Sequence, residues 1–371
     1  MTCSMVVERA SFLLFLMMMF LGSFLSFSSS SWVMMWLGME VNLISLVPLV
    51  MFRGTLQMSE SGIKYFIVQS VGSGLFILSM LLGFHLTNSW DVCYYFSGQY
   101  SFLSAFFLFF SLCIKIGVFP FHFWVPGVMA GTSWVSCLLL STWQKMVPLF
   151  LINVVVQGWG SNLIGVSLVF VALGSSFAGG VGGINQTNFR SLLGYSSISH
   201  SGWMILCIMG GSMSFKVYLV TYIFISFCLF FCLMILGCDY VGQVVGHSVG
   251  SSELNRVVVM LVLLSLGGMP VLLGFFMKLV AVSSSLSLSS VSLFPFMLFL
   301  MFLGSVLALV YYLKILFAVM VHSSFYYMKF FMGAVGRNAW SYSGLLFFIS
   351  AVNVFGGMFL LFVMSIVDFL F

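Results

Sequence analysis

The sequence predicts an all-α, polytopic membrane protein. Hydrophobic residues make up 62% of the 371 residues and charged residues only 5%, and the mean hydropathy is +1.22. These values lie far above those of soluble proteins. A helix of about 20 apolar residues spans the hydrocarbon core of a bilayer, and stretches of this length recur from one end of the chain to the other. A few charges lie inside these stretches and indicate where a function is located.

Eleven apolar stretches are long enough to cross a bilayer, and short loops join them. Five lie in 10–156, five in 162–320 and one in 343–369, within a single predicted membrane domain 1–371. Because transporters are often built from inverted repeats, we predict about eleven transmembrane helices, as two inverted five-helix repeats plus one final helix. The predicted spans are 10–30, 32–52, 62–86, 101–125, 128–156, 162–182, 190–213, 215–237, 256–282, 291–320 and 343–369.

The fourth span of each predicted repeat combines a helix breaker with a lysine. Lys115 precedes Pro120 in the first repeat, and Pro270 precedes Lys278 in the second. A proline has no N–H and leaves the carbonyl four residues earlier without its helical partner, and such carbonyls can solvate an ammonium group inside a membrane. Interrupted helices at matching positions often form the working site of a transporter, although prolines can also serve only to bend helices for packing. The predicted broken helices lie near 115–126 and 266–279.

Four ionisable side chains fall inside apolar spans, where each costs roughly 2.5–3.5 kcal/mol on insertion scales. A chain retains such groups when they carry ions or protons, or when they pair with one another. Burial disfavours the charged form of an amine, so a buried lysine can release and regain a proton. This pattern indicates a protein that translocates protons or other ions. The four residues are Glu40, Lys115, Lys145 and Lys278.

Alternatives remain open for several of these positions. A carboxylate in mid-span is expected to be neutral or paired with a cation, so we expect Glu40 to relay protons or to pair with a lysine, Lys115 first; the alternative is a structural hydrogen bond. Lys278 lies near the end of its span, so its ammonium group could instead extend to the membrane interface. His122 and His200 lie at or just outside the edges of spans, where histidine can relay protons or can simply be a satisfied polar residue.

Composition and spacing argue against several classes of protein. The net charge of +5 is spread thinly and forms no basic patch for nucleic acid. The eight cysteines are scattered without a CxxC pair, which does not suit an iron–sulfur or zinc site. The glycine-dense segment Gly179–Gly183 follows no strand, so it indicates close helix packing and not a dinucleotide-binding loop. The chain is therefore predicted to hold no metal and no cofactor.

Five segments around the ionisable residues form a distinctive series. They are GMEVNLISLVPL (38–49), KIGVFPFHFWVP (115–126), SWVSCLLLSTWQKMVPLF (133–150), NQTNFRSLLGYSSISHSGWM (185–204) and LGGMPVLLGFFMKL (266–279). In this order, between about 38 and 320, they resemble the chain 2 family of NADH–ubiquinone oxidoreductase. The members of that family are the antiporter-like subunits in the membrane arm of respiratory complex I.

The resemblance implies a role for each charged residue. Glu40 is similar to the family's transmembrane glutamate, and Lys145 matches its central lysine. Lys115 and Lys278 match the lysines of its two broken helices. In the family, protons are thought to pass along a hydrated polar axis at mid-membrane, driven by quinone reduction elsewhere in the complex. The implied mechanism is therefore proton exchange through water among the three lysines, with Glu40 setting their charge state.

The resemblance also implies a location and partners. It implies a multi-pass subunit of the mitochondrial inner membrane, in contact with other membrane-arm subunits of complex I and with membrane lipids, and with neither nucleic acid nor NADH. The implied enzyme is the proton-translocating NADH:ubiquinone reductase, with no redox centre in this chain. Two positions depart from the family pattern. Gly127 stands where an acidic residue usually follows WVP, and Leu279 stands where the family usually has the tryptophan of Pro-Lys-Trp.

Three other functions remain open on the sequence alone. A stand-alone sodium–proton antiporter would have the same architecture. A purely structural membrane subunit would hold the buried charges as static ion pairs. A quinone-binding oxidoreductase subunit is disfavoured, because the sequence contains no recognisable cofactor ligands.

Overall fold

The chain folds into helices throughout the residues that the structure describes. The computed structural model describes residues 2–52, 54–92, 102–158, 162–237, 239–240, 253–286, 294–330 and 348–357. Within these ranges there is no β-strand, and the predicted all-α class is confirmed. The helices are α1 (Thr2–Ser28), α2 (Trp32–Met51), α3 (Leu56–Thr87), α4 (Phe102–Ile116), α5 (Trp124–Gly131), α6 (Trp134–Ser141), α7 (Trp143–Gly158), α8 (Asn162–Gly183), α9 (Phe189–Gly210), α10 (Ser212–Leu236), α11 (Glu253–Gly267), α12 (Leu273–Leu286), α13 (Phe294–Phe330) and α14 (Phe348–Gly357).

The apolar helices fit the predicted polytopic fold. In the described part of the chain, eight helical stretches are long and apolar enough to cross a membrane. The count of about eleven transmembrane helices is not confirmed. The predicted final span 343–369 is described only over 348–357, and its other residues lie outside the described part.

The first predicted helix break is confirmed, but the boundaries of the two neighbouring spans were wrong. α4 ends at Ile116, and α5 is a separate helix of eight residues that overlaps the end of the predicted span 101–125 and the start of the predicted span 128–156. Pro126 is compatible with α5 because it lies in the first helical turn, where its missing N–H has no intrahelical partner to lose. The next helix begins anew after Ser133, whose hydroxyl accepts a hydrogen bond from the backbone N–H of Ser136 at 3.4 Å.

The second predicted break is also confirmed. α11 ends at Gly267 and α12 begins at Leu273. Gly268 has a φ of +83°, in the left-handed region where a residue without a Cβ is favoured. The chain therefore turns sharply in mid-span at a position that a glycine occupies.

The described chain divides into two compact units, Met1–Leu168 and Val169–Phe371. In the first unit the start of α2 is hydrogen-bonded to the segment after α3, because the N–H of Trp32 donates to the carbonyl of Trp90 at 3.0 Å. In the second unit the start of α9 is hydrogen-bonded to the segment after α10, because the N–H of Phe189 donates to the carbonyl of Asp239 at 3.0 Å. The same kind of backbone hydrogen bond thus joins the second and third spans of each predicted repeat. The inverted relation between the repeats stays a prediction.

Glycines permit close helix contacts inside each unit. In the first unit a methyl group on Gly22 of α1 would lie 2.8 Å from the carbonyl oxygen of Gly38 on α2. In the second unit a methyl group on Gly179 of α8 would lie 2.6 Å from the carbonyl oxygen of Tyr195 on α9. The predicted packing role of the glycine-dense segment is therefore confirmed.

Candidate functional site

Glu40 and Lys115 come together in the first unit, as the sequence predicts. Glu40 lies on α2, and Lys115 is the penultimate residue of α4. The ammonium nitrogen of Lys115 lies 3.7 Å from Oε1 of Glu40, within ion-pair range but beyond the length of a hydrogen bond. The Lys115 side chain is 4% exposed and that of Glu40 is 21% exposed. The two charges therefore offset each other without being locked in a short hydrogen bond.

Apolar and soft groups surround the Lys115 ammonium on its other sides. Its Nζ lies 4.0 Å from the sulfur of Met39 and 5.7 Å from the centre of the Phe76 ring. A ring face attracts a cation through its quadrupole, but it can neither accept nor release a proton. Among these contacts, Glu40 is the group that can take a proton from Lys115.

The break after α4 exposes backbone carbonyls, and side chains from neighbouring helices bind them. Nε2 of Gln69, on α3, donates to the carbonyl of Lys115 at 3.2 Å. Nε1 of Trp124, at the start of α5, donates to the carbonyl of Ile114 at 3.2 Å. Because a bare carbonyl is costly in an apolar environment, these two bonds stabilise the broken end that carries Lys115.

We expect Trp124→Phe to lower the stability of the folded chain by about 1 kcal/mol. Phenylalanine keeps the packing against the Tyr65 ring, whose centre lies 5.8 Å away, but it cannot donate to the carbonyl of Ile114. Thermal unfolding in mild detergent would report a lower midpoint. Trp36→Phe is the matched control, because no described group accepts a hydrogen bond from Nε1 of Trp36. Equal midpoint shifts in the two variants would contradict this prediction.

Lys145 lies in the first turn of α7 and is 4% exposed. Together with Lys115 and Gln144 it lines one small cavity between the break and α7. A second small cavity is lined by Lys115, Gln144, Asn42 and other residues. Each cavity has room for about one water molecule. Two of the three predicted lysines therefore border a common space large enough for water.

Gln144 ties this region to α2. Its Nε2 donates to Oδ1 of Asn42 at 2.9 Å. Asn42 lies two residues after Glu40 on the same helix and is 3% exposed. The segment that carries Lys145 is thus anchored to the helix that carries Glu40.

Lys278 occupies the second break, in the second unit. Its ammonium group donates to the carbonyl of Gly267, the last residue of α11, at 2.6 Å. A Cβ on Gly268 would lie only 2.7 Å from the same ammonium nitrogen. Lys278 is 8% exposed, so the alternative in which it extends to the membrane interface was wrong. A carbonyl at a helix break solvates this lysine, which is the kind of contact that the sequence predicts.

His200 lies in the interior of α9, so its predicted position at the edge of a span was wrong. Its Nδ1 lies 3.0 Å from the hydroxyl of Tyr218 on α10. Tyr312 on α13 is also buried, at 1% exposed. The Tyr312 ring in turn lies against Gly267, at 3.3 Å from a Cβ placed there. His200 therefore pairs with Tyr218, and Tyr312 packs beside the residue whose carbonyl binds Lys278.

Four further residues lie apart from the two cavities: His122, Lys216, Lys314 and Gly127. His122 is buried within the first break, where its Nδ1 lies 3.2 Å from the carbonyl of Pro120, but it lines neither of the two cavities. Lys216 and Lys314 are exposed on α10 and α13. Gly127 is exposed, and no described atom lies within 4 Å of a Cβ placed there.

The neutral polar residues of both clusters were not predicted from the sequence. Amides and hydroxyls inside apolar stretches were available as a signal, since such groups are buried only with partners. Their partners lie far away in the sequence, so only the folded chain shows which of them meet the lysines. The missed residues are Asn42, Gln69, Trp124, Gln144, Tyr218 and Tyr312.

Known proteins are similar to this chain in sequence and in fold. A family model described as NADH:quinone oxidoreductase/Mrp antiporter, TM, matches residues 29–304. The NADH-ubiquinone oxidoreductase chain 2 of Myxine glutinosa is 36% identical over 301 residues, which cover 81% of this chain and 83% of the relative. That of Locusta migratoria is 34% identical over 273 residues, covering 73% and 75%. A chain of respiratory complex I from Thermus thermophilus with bound aureothin has a TM-score of 0.75 at 22% identity, covering 94% of this chain and 79% of that chain, and supports the fold.

Proposed function

This chain belongs to the NADH:quinone oxidoreductase/Mrp antiporter family, and within it to the NADH-ubiquinone oxidoreductase chain 2 proteins, and we propose that it is a proton-translocating subunit in the membrane arm of that enzyme. As such it lies in the mitochondrial inner membrane beside other membrane-arm subunits. Quinone reduction elsewhere in the complex drives its proton transfer. It binds lipids at its outer helices and holds no redox centre, so electrons do not pass through it.

In this mechanism Glu40, Lys115 and Lys145 act together in the first unit. The single observation that carries the proposal is the Glu40–Lys115 pair at 3.7 Å, beside a helix break and a cavity that Lys145 also lines. When Glu40 is charged it favours the ammonium form of Lys115, and when Glu40 is neutralised Lys115 releases its proton more readily. The proton then passes through water to Lys145.

Lys278 is the corresponding proton carrier of the second unit. The carbonyl of Gly267 stabilises its ammonium form at 2.6 Å, and His200 with Tyr218 offers a further pair of groups that can pass a proton. His122 is the less favoured relay, since it lines neither cavity described above.

We expect Lys115→Met to lower proton pumping strongly and Glu40→Gln to lower it by about tenfold, a change of about 1.4 kcal/mol in the barrier. Methionine removes the proton carrier, whereas glutamine removes only the charge that biases it. Pumping would be measured as acidification driven by NADH oxidation in sealed vesicles that contain the assembled complex. If the double variant Glu40→Gln, Lys115→Met pumps normally, the pair is a static structural contact and the proposed mechanism is wrong.

The assembly itself is tested by solubilising the native membrane in mild detergent. Native electrophoresis followed by mass spectrometry should find the chain in a large complex with NADH–quinone activity. A chain that migrates alone and catalyses sodium–proton exchange in liposomes would instead be a stand-alone antiporter, an alternative that is compatible with a family described as NADH:quinone oxidoreductase/Mrp antiporter. That result would mean that quinone reduction does not drive proton transfer in this chain.

A further inference from the structure

We propose that Gln144 is a positioning residue that orients water between Lys115 and Lys145 during proton transfer. The inference rests on the proposed function, because it concerns the path between two residues that are assigned there to carry protons. It adds to that function a neutral residue without which the two lysines exchange protons slowly. Gln144 cannot itself store a proton, so its contribution is geometric.

The position of Gln144 follows from the two cavities of the first unit. Lys115 and Gln144 are the two residues that line both cavities. One cavity continues to Lys145, and the other continues to Asn42 and Gln69. A water molecule in either cavity therefore lies next to the Gln144 side chain as well as next to Lys115.

A second observation fixes the direction of the Gln144 amide. Its Nε2 donates to Oδ1 of Asn42 at 2.9 Å, and Asn42 is 3% exposed. A buried hydrogen bond of this kind is costly to break, because both partners would lose their bond in an apolar environment. The amide therefore keeps one orientation, and its Oε1 remains available to accept a hydrogen bond from water.

The proposed step moves one proton from Lys115 to Lys145 and requires no electron transfer. The ammonium group of Lys115 gives a proton to a water molecule, and that water gives one of its other protons to the neutral amine of Lys145. Lys115 becomes neutral, Lys145 becomes charged, and the water is regenerated. Transfer through one water requires both groups to lie within hydrogen-bond reach of it. By accepting one O–H of the water, Oε1 of Gln144 leaves the other O–H directed to Lys145.

A purely structural role is the competing explanation, since the bond to Asn42 also joins α7 to α2. The two explanations differ in what a substitution changes. Loss of a structural tie lowers the amount of assembled protein. Loss of water orientation leaves assembly intact, slows pumping, and raises the solvent deuterium isotope effect, because proton transfer then limits the rate.

The test compares Gln144→Leu, Gln144→Glu and Asn153→Leu in the assembled complex. Leucine has a similar size but no acceptor, whereas glutamate keeps an oxygen acceptor at the same reach. Asn153→Leu is the matched control, because Asn153 is a buried amide on the same helix, 7% exposed, that lines neither cavity. NADH-driven pumping in vesicles, its ratio in H2O and D2O, and complex content on native gels would be measured for each variant.

We expect Gln144→Leu to slow pumping by about tenfold, the equivalent of one lost hydrogen bond in the barrier, with normal complex content and an increased isotope effect. Gln144→Glu should restore most of the rate, and Asn153→Leu should match the unchanged chain. Native pumping in Gln144→Leu would overturn the inference, and so would an equal loss of complex in Gln144→Leu and Asn153→Leu. If Gln144→Leu does not assemble, Gln144→Asn is measured in its place. Asparagine is one methylene shorter, so its amide lies farther from the cavities, and the same slower pumping and increased isotope effect are expected.

Lys145→Met, measured alongside, separates failure of the inference from failure of the proposed function. If Lys145→Met is impaired while Gln144→Leu pumps normally, the inference fails and the proposed function stands. If Lys145→Met also pumps normally, the proton path through Lys145 does not exist and both fail.

Discussion

Lys145→Met is expected to reduce NADH-driven proton pumping by at least about 100-fold, in the range that a lost proton-transfer group causes. Lys145 is 4% exposed and borders the same cavity as Lys115. Methionine has a similar length but carries no proton, so the transfer from Lys115 has no acceptor. Removing a charge from the membrane interior also lowers the cost of insertion, so the amount of assembled complex should not fall.

Pumping would be followed by a pH-sensitive dye in sealed vesicles, and complex content by native electrophoresis. Lys216→Met is the matched control, because Lys216 is exposed on α10 and should tolerate the same change without loss of pumping. Undiminished pumping in Lys145→Met, or an equal loss in both variants, would show that Lys145 does not carry the transferred proton.

Gly274→Ala is expected to have the largest effect on stability, a loss of about 3 kcal/mol or more. Gly274 lies on α12, where a methyl group would overlap the carbonyl oxygen of Ser265 on α11. The obstacle is backbone, which cannot rotate away as a flexible side chain would. Separation of α11 from α12 would also pull Lys278 from the carbonyl of Gly267.

The measured quantities would be the content of assembled complex on native gels and its midpoint of thermal unfolding in mild detergent. Gly74→Ala is the control, because no described atom lies within 4 Å of a Cβ at Gly74 on α3. There alanine should be neutral or slightly stabilising, since it favours helix more than glycine does. Normal assembly of Gly274→Ala would contradict a close backbone contact between α11 and α12.

The sequence predicts those features of the fold that depend on residues close together in the chain. Long apolar runs predict the helices, and a charge inside such a run is visible because its cost is high. The two breaks are predictable because proline and glycine act on the backbone at their own positions. The pair of Glu40 and Lys115 is predictable because a buried carboxylate needs a cation.

The missed features depend on contacts between distant segments. The short helix α5 was missed because Pro126, a helix breaker in mid-helix, is tolerated in a first turn. The sequence alone left open an alternative position of Lys278 at the membrane interface, because distance from the span end does not reveal the Gly267 carbonyl beside which the turn at Gly268 places the lysine. The amides of Gln69 and Gln144 stand out inside apolar stretches, but their partners lie on other helices, so the sequence did not show which groups they meet.

The broken helices also constrain how the chain enters the membrane. α4 ends at Ile116, inside the apolar stretch 101–125 that the sequence predicts as one span. If α4 entered the lipid alone, the backbone carbonyls at its broken end would face lipid without hydrogen-bond donors. Such unsatisfied carbonyls are costly in the hydrocarbon region. The donors for those carbonyls lie on α3, which is synthesised earlier, and on α5, which is synthesised later. The backbone of α4 is satisfied only when α3 and α5 are both present, which favours entry of these three helices into the lipid as a group.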